Sequence, residues 1–276
     1  MTVAGARWSA PRSKAAIVAA VIVALASVVL SGCSSGKASS DVSVFVFAGQ
    51  SNMLGLGSQG TPLPPALART NRNTFYWLPS TRTWTSTPLT PGGIYGPEVS
   101  AINRLARELG HPVAAVQLAV NGVSLAGPWD PSRPDGLYAA MKAEVDNALH
   151  SRIAGQGNSK VAGFFWMQGE SDAQNPGAAA AYGVNLRRLL DQVRSDFASP
   201  RLPIVLGRIR AQIPLASPES AADVRSAIDR VAASTPNVRV VSTDALPLAS
   251  DGLHFTGQGI ITLGDEFADA YMKLDH

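Results

Sequence analysis

The chain of 276 residues has a single cysteine, Cys33, so no disulfide can close within it and a thiolate-held metal cluster is excluded. Histidine is scarce too: only His111, His150, His254 and His276 could supply an imidazole. An excess of one charge is missing once the first 32 residues are set aside. That stretch carries Arg7, Arg12 and Lys14 and no acid; without it, twenty bases face twenty acids. The net positive charge therefore belongs to the start of the chain, and no basic patch argues for nucleic acid. No internal repeat is visible. With 46% hydrophobic and 16% charged residues, wholesale disorder is excluded, and the length suffices for one large core.

What is present begins with the leader. A positively charged start precedes the apolar run "AAIVAAVIVALASVVL" at 15–30, which is short for a membrane span and typical of a signal peptide's centre. Leu30-Ser31-Gly32-Cys33 resembles the lipobox of bacterial lipoproteins. That resemblance implies a signal peptide over 1–32 and lipidation of Cys33. No twin-arginine pair is present, so export follows the general route. The small, polar residues that follow read as a tether over 33–41. The expectation is an extracytoplasmic domain over 42–276, held to a membrane through the lipid on Cys33.

From Val42 onward, strand-length apolar runs alternate with longer helical patterns. The runs are 42–48, 112–120, 161–167, 203–209 and 238–243, and their near-continuous apolar character suits strands buried on both faces. Helical patterns fall at 98–110, 136–150, 178–197, 219–234 and 257–274. Ile102, Leu105, Ala106 and Leu109 mark one face of the first, and Gly110 followed by His111-Pro112 ends it. The alternation predicts a three-layer α/β domain with five parallel strands. Residues 56–95, rich in Pro, Thr, Gly and Arg, read as a long irregular insertion: a covering loop or a wall of a substrate cleft.

In an open parallel sheet, ligands bind beyond the carboxyl ends of the strands. Four such ends carry polar clusters: Gly49-Gln50-Ser51-Asn52, Asn121-Gly122-Val123-Ser124 with Trp129 nearby, Gln168-Gly169-Glu170-Ser171-Asp172, and Ser250-Asp251-Gly252-Leu253-His254. Ser51 has Gly49 before it, but Met53 stands where the G-x-S-x-G nucleophile elbow has its second glycine. Serine esterase chemistry needs a base, a carboxylate to orient it and preorganised oxyanion donors. Of the four histidines, only His254 lies near a predicted strand end with a carboxylate, Asp251, three residues before it. One turn of chain can bring Asp251 to the imidazole Nδ1 and leave Nε2 for Ser51. Without the other clusters, "DGLH" reads first as a turn capped by Asp251.

The blocks "AGQSNM", "WMQGESD" and "DGLHFT", with "GPE" at 96–98 and "NGVSLAGPW" at 121–129, resemble the SGNH hydrolase superfamily. More narrowly, they resemble the sialate O-acetylesterase-like carbohydrate esterases (carbohydrate esterase family six). The resemblance covers roughly residues 42–260 and implies a flavodoxin-like α/β/α fold. It implies Ser51 as nucleophile, His254 as general base and then acid, and Asp251 as its orienting partner. It also implies an oxyanion hole of the Ser51 and Gly122 backbone N–H groups and the Gln168 side-chain amide. Asn121-Gly122-Val123-Ser124 departs from the family's usual Gly-Gly-Thr-Ser, a change that a backbone donor survives and a threonine hydroxyl contact does not. Gln50 and Asn52 read as braces of the loop, Glu170 and Asp172 as loop-ordering or substrate-touching groups, and Ser124 and Trp129 as supporting or substrate-binding. Glu98 after Pro97 reads as a helix start. No metal or organic cofactor is expected. The implied substrate is an acetylated carbohydrate. Two alternatives stand beside it: an esterase or lipase for longer acyl chains, and a non-catalytic glycan-binding lipoprotein on the same fold.

Overall fold

The computed structural model describes residues 40–275. The expected signal peptide, Cys33 and most of the tether lie outside the described residues, as does His276. The strands are β1 (Val42–Gly49), β2 (Thr74–Leu78), β3 (Thr83–Thr85), β4 (Val113–Ala119), β5 (Ser159–Met167), β6 (Ile204–Arg208) and β7 (Val238–Ser242). The helices are α1 (Ser51–Leu54), α2 (Pro65–Ala68), α3 (Glu98–Leu109), α4 (Leu137–His150), α5 (Glu170–Ala173), α6 (Pro176–Asp196), α7 (Pro218–Ser234) and α8 (Gly257–Tyr271). All seven strands form one sheet in the order β3-β2-β4-β1-β5-β6-β7.

Side chains alternate across the sheet as strand geometry requires. Phe47 and Phe165 stack at 4.6 Å between ring centres, and Phe165 continues to Phe267 of α8, while Phe45 meets Tyr271 edge-on. On the opposite face Phe164 stacks on Trp166, which meets Trp129 edge-on and donates from its indole N–H to the Tyr182 hydroxyl of α6. α3 and α8 thus pack together over one face, and α4, α6 and α7 cover the other. With both faces covered, the central strand β1 is buried along its whole length, and truncating Phe165 of β5 to alanine costs about 3–5 kcal/mol.

Helix ends follow their sequence signals. Asn175 and Ser217 cap α6 and α7 by accepting from Ala178 N–H and Ser220 N–H, each with proline at the first helical position. Gly110, at φ 70°, closes α3.

The sheet departs from expectation at one edge. It has seven strands rather than five, and β3 runs antiparallel to β2, so the sheet is mixed. Both additional strands come from the segment read as irregular. "TFYWL" pairs in parallel with β4, turns at Pro79 and pairs back through Trp77 opposite Trp84, whose rings meet at 5.2 Å. Trp77 donates to Glu144 of α4 at 2.7 Å. Five β-prone residues between proline- and threonine-rich flanks carried the signal, diluted by the composition around them.

β1 lies at the centre of the sheet, flanked by β4 and β5. Connections leave it in both directions, so the crevice beyond its carboxyl end is the topological switch point of the fold.

Candidate active site

The Ser51 turn is shaped by close backbone approach. At Gly49, φ is 153°, and a Cβ would collide with the Met167 carbonyl oxygen of β5. Gln50 is extended and donates its N–H to that same carbonyl at 3.0 Å. The chain then coils into α1, with Ser51 first and almost fully buried. Gln117 of β4 holds α1 from beneath, donating to the Met53 carbonyl at 2.8 Å.

The Asp251–His254 turn is self-organised. One carboxylate oxygen of Asp251 accepts the N–H groups of Leu253 (2.9 Å) and His254 (3.0 Å), and the other meets His254 Nδ1 at 2.6 Å. Burial tends to raise the Asp251 carboxyl, but these bonds outweigh it and hold the group at about 2. The carboxylate is therefore ionised and keeps the proton of a neutral imidazole on Nδ1. Nε2 is left as an acceptor, buried and without a partner among the described residues. The Ser51 hydroxyl is not hydrogen-bonded to it in this structure; such bonds commonly tighten only with substrate. His111 bonds Ser43 at the opposite end of the sheet, and His150 bonds the Asp146 carbonyl of its own helix.

Two turns distant in sequence are joined by one side chain. Asn52, next to Ser51, donates to the Leu253 carbonyl at 3.3 Å and accepts the Phe255 N–H at 3.0 Å, thereby holding both neighbours of His254. Its amide also donates to Glu170 Oε1 at 2.8 Å, while Gln50 donates to Glu170 Oε2 at 2.7 Å. Both residues flanking Ser51 are thus tied to one buried carboxylate. Gln50 Oε1 accepts from the Ser171 hydroxyl at 2.9 Å, so the amide is engaged at both ends. Burial pushes the Glu170 carboxyl above its ordinary value; the bond from Asn52 and the nearby His254 pull it back only in part.

The loop after β4 is held by a second buried carboxylate. Asp172 accepts the N–H groups of Leu125 (2.8 Å) and Ala126 (3.0 Å) and the Gln168 amide (2.7 Å); burial raises its carboxyl despite these bonds. Gln168 also donates to the Val123 carbonyl at 3.0 Å and accepts from Tyr182 at 3.2 Å. Its amide hydrogens are spent on bracing the loop that carries Gly122, a different use from the oxyanion donor inferred from resemblance. Gly122 sits at φ 71° with open space where a Cβ would stand, so its backbone is approachable. Ser124 contributes its carbonyl, which accepts the Trp129 N–H at 3.3 Å.

Of the two roles open to Trp129, the structure favours the supporting one. It is fully buried and donates its indole N–H to the Gly49 carbonyl at 3.0 Å, so it supports the Ser51 turn from inside the core. Its apolar bulk and single donor are both satisfied there.

Two participants escaped the sequence reading: Gln117 lies inside a strand pattern, and Tyr182 inside a helix face. Glu98 does start α3 as its sequence reads, and it is also buried, accepting from Gln117 at 2.6 Å, and burial pushes its carboxyl to about 8. Polar residues at otherwise apolar positions were the available signal. Among the described residues, no group of three or more His, Cys, Asp and Glu is arranged to hold a metal ion.

Residues 41–273 match the family described as carbohydrate esterase, sialic acid-specific acetylesterase. A probable carbohydrate esterase of Arabidopsis thaliana is 32% identical over 181 residues, an alignment spanning 64% of each chain. The chain thus matches just under two thirds of that relative's length. A solved Arabidopsis thaliana protein structure superposes with a TM-score of 0.69 at 26% identity, covering 85% of this chain and 98% of the other. A carbohydrate acetylesterase from Xanthomonas citri (TM-score 0.62, 20% identity, 84% and 56% covered) and NanS (0.63, 14%, 85% and 98%) share the fold.

Proposed function

The chain belongs to the carbohydrate esterase family of sialic acid-specific acetylesterases, and from that premise we propose that it removes O-acetyl groups from carbohydrate through an acyl-enzyme on Ser51. The observation that carries the reading is the Asn52 bridge, which fixes the residue beside Ser51 to both neighbours of an imidazole already oriented by Asp251.

In this mechanism His254 Nε2 takes the Ser51 proton as the hydroxyl oxygen attacks the acetyl carbonyl. Asp251 stabilises the imidazolium that forms. The developing oxyanion is met by the backbone N–H groups of Ser51 and Gly122, donors whose orientation is set before reaction. The imidazolium gives its proton to the departing sugar oxygen, leaving acetyl on Ser51. Water, deprotonated by the same Nε2, attacks the acyl-enzyme, acetate leaves, and the serine regains its proton.

Hydrolysis of p-nitrophenyl acetate by the full chain beside a Ser51→Ala variant tests the assignment. The variant, folded by circular dichroism, should lose activity by roughly 10⁴-fold or more. Activity surviving in it would remove Ser51 from the mechanism. A chain-length series of acyl esters checks the acetyl preference, which a rise toward longer chains would overturn.

Export and anchoring form part of the same proposal, supported by the apolar run at 15–30 and the flanks of Cys33. Replacing Cys33 with serine should move the protein from the membrane fraction to the soluble one. Unchanged partitioning would argue for an uncleaved leader instead.

A further inference from the structure

Gly96-Pro97-Glu98 meets the Ser51 turn from beneath, and three polar groups converge on its glycine. A Cβ at Gly96 would collide with the Glu98 carboxyl, the Gln117 amide nitrogen and the Met53 carbonyl oxygen alike. These three groups form one chain of bonds. The Gln117 amide gives one hydrogen to Glu98 Oε2 at 2.6 Å and the other to the Met53 carbonyl at 2.8 Å. Beside it, Gly55 closes α1 at φ 85°, where a Cβ would strike the Tyr95 carbonyl. The Tyr95 hydroxyl lies against Gly257 of α8, buried and without a partner among the described residues.

α1 is a single turn, and so short a helix does not hold itself in place. The Gly55 N–H pairs the Ser51 carbonyl, but the Met53 carbonyl takes its donor from the Gln117 side chain. A terminal amide turns readily about its last bond, so a donor aimed at Met53 needs a second acceptor to fix it. Glu98 is that acceptor, buried and held at the start of α3. Burial pushes its carboxyl to about 8, so at neutral pH it is an uncharged acid that still offers an accepting oxygen. Without that oxygen, one Gln117 hydrogen is stranded, and the amide turns towards other acceptors.

We propose that Glu98 is a positioning residue for ester hydrolysis: it aims the Gln117 amide at the Met53 carbonyl and thereby sets the one-turn helix that presents Ser51. The inference rests on the esterase reading, but one arm of its test needs no turnover. p-Nitrophenyl acetate hydrolysis at neutral pH is compared across variants of the full chain. Glu98→Met keeps the volume and removes the acceptor; kcat should fall at least about fivefold, with KM within about twofold of the parent. Glu98→Gln offers a neutral accepting oxygen on the same frame and should restore most of that loss. If Glu98→Met does not fold, Glu98→Ala takes its place.

Gln117→Met should match Glu98→Met, and the two together should be no worse than either, because both cut the same chain of bonds. Ser100→Ala is the control for loosened packing. It removes the bond from α3 to the Ile261 carbonyl of α8 at 2.8 Å, so it should lower the melting temperature and leave kcat unchanged. Hydrogen exchange at the Met53, Leu54 and Gly55 amides reads the setting of α1 directly. It should quicken at least about tenfold in Glu98→Met and stay as in the parent in Ser100→Ala. A kcat loss below about fivefold in Glu98→Met, an equal loss in Glu98→Gln or Ser100→Ala, or additive losses in the double variant would each overturn the role. A parent that hydrolyses no ester while exchange in α1 still follows residue 98 would overturn the esterase reading and leave the setting of α1 by Glu98 standing.

Discussion

Two turns at the same end of the sheet each present a carboxylate near His254, and they use it in opposite ways. In the Asp251–His254 turn the carboxylate is half exposed, collects three hydrogen bonds from Leu253 and His254 just after it in the chain, and is held at about 2. In the Gln168–Asp172 turn Glu170 is buried, receives its side-chain bonds from Gln50 and Asn52 on a different strand's loop, and is pushed upward. The first arrangement is local and electrostatic: it needs only a charge and one turn of chain. The second is long-range and positional: it joins residues 118 and 120 apart in sequence, and water is kept from it. In the proposed mechanism, the exposed carboxylate serves chemistry and the buried one registration.

The largest effect should come from the local turn. Asp251→Asn removes the charge that fixes the imidazole tautomer, and kcat should fall about 10³–10⁴-fold with the melting curve nearly unmoved. A loss below tenfold would show that Asp251 does not orient His254.

The buried turn gives the next largest effect and the sharper test. Both partners of Glu170 are amide N–H donors, so Glu170→Gln sets an NH₂ group against one of them. kcat should drop roughly 10- to 100-fold through misplacement of Ser51, with KM little changed. Exchanging the pair, Gln50→Glu with Glu170→Gln, restores every bond: the new amide donates to residue 50 and accepts from Asn52. The new carboxylate at position 50 still accepts from Ser171. The double variant should therefore recover most of the lost kcat; if it is as poor as the single one, the carboxylate acts by charge and not by registration.

Glu98, buried like Glu170, extends the contrast to stability. Its carboxyl rises from 4.5 to about 8, so between those values the folded chain keeps a proton that the unfolded chain has shed. Stability from this group is whole below the lower value and falls with rising pH by roughly 1.4 kcal/mol per unit across the window. Urea midpoints measured through that range should decline less steeply in Glu98→Gln; equal slopes would place the proton elsewhere.

The smallest effect is the mirror image. Asp251 is depressed, so its contribution is present above about 3.8 and is lost as pH falls toward 2. Screening at a half-exposed site keeps that contribution below about 1 kcal/mol. Acid-unfolding midpoints of the parent and Asp251→Asn should nearly coincide, and a gap of several kcal/mol would mean the turn supports the fold as well as the chemistry.

Much of the architecture was legible in the order of residues. Each of the five apolar runs became a strand and each of the five helical patterns a helix, because strands covered on both faces write their burial as continuous apolar sequence. β2 and β3 were not legible, since "TFYWL" makes sense only against the edge that β4 offers. The Asp251–His254 pair was visible three residues apart, because one turn of chain is enough to form it. The bonds of Trp129, Glu98 and Gln168 were not legible for the opposite reason: their partners are Gly49, Gln117 and Asp172, and what a polar side chain does depends on which partner packing brings to it.

By itself the sequence determined the layered α/β architecture, the strand ends at which polar clusters gather, and the local carboxylate–imidazole turn. All of these arise from periodicity or from contacts within one turn of chain. Only the tertiary structure decided that Asn52 and Gln50 share the Glu170 carboxylate, that Trp129 belongs to the core, and that Tyr95 faces Gly257 with its hydroxyl unpaired. Those are contacts between segments far apart in the chain, and burial, which sets their strength and their protonation, exists only once the segments have packed.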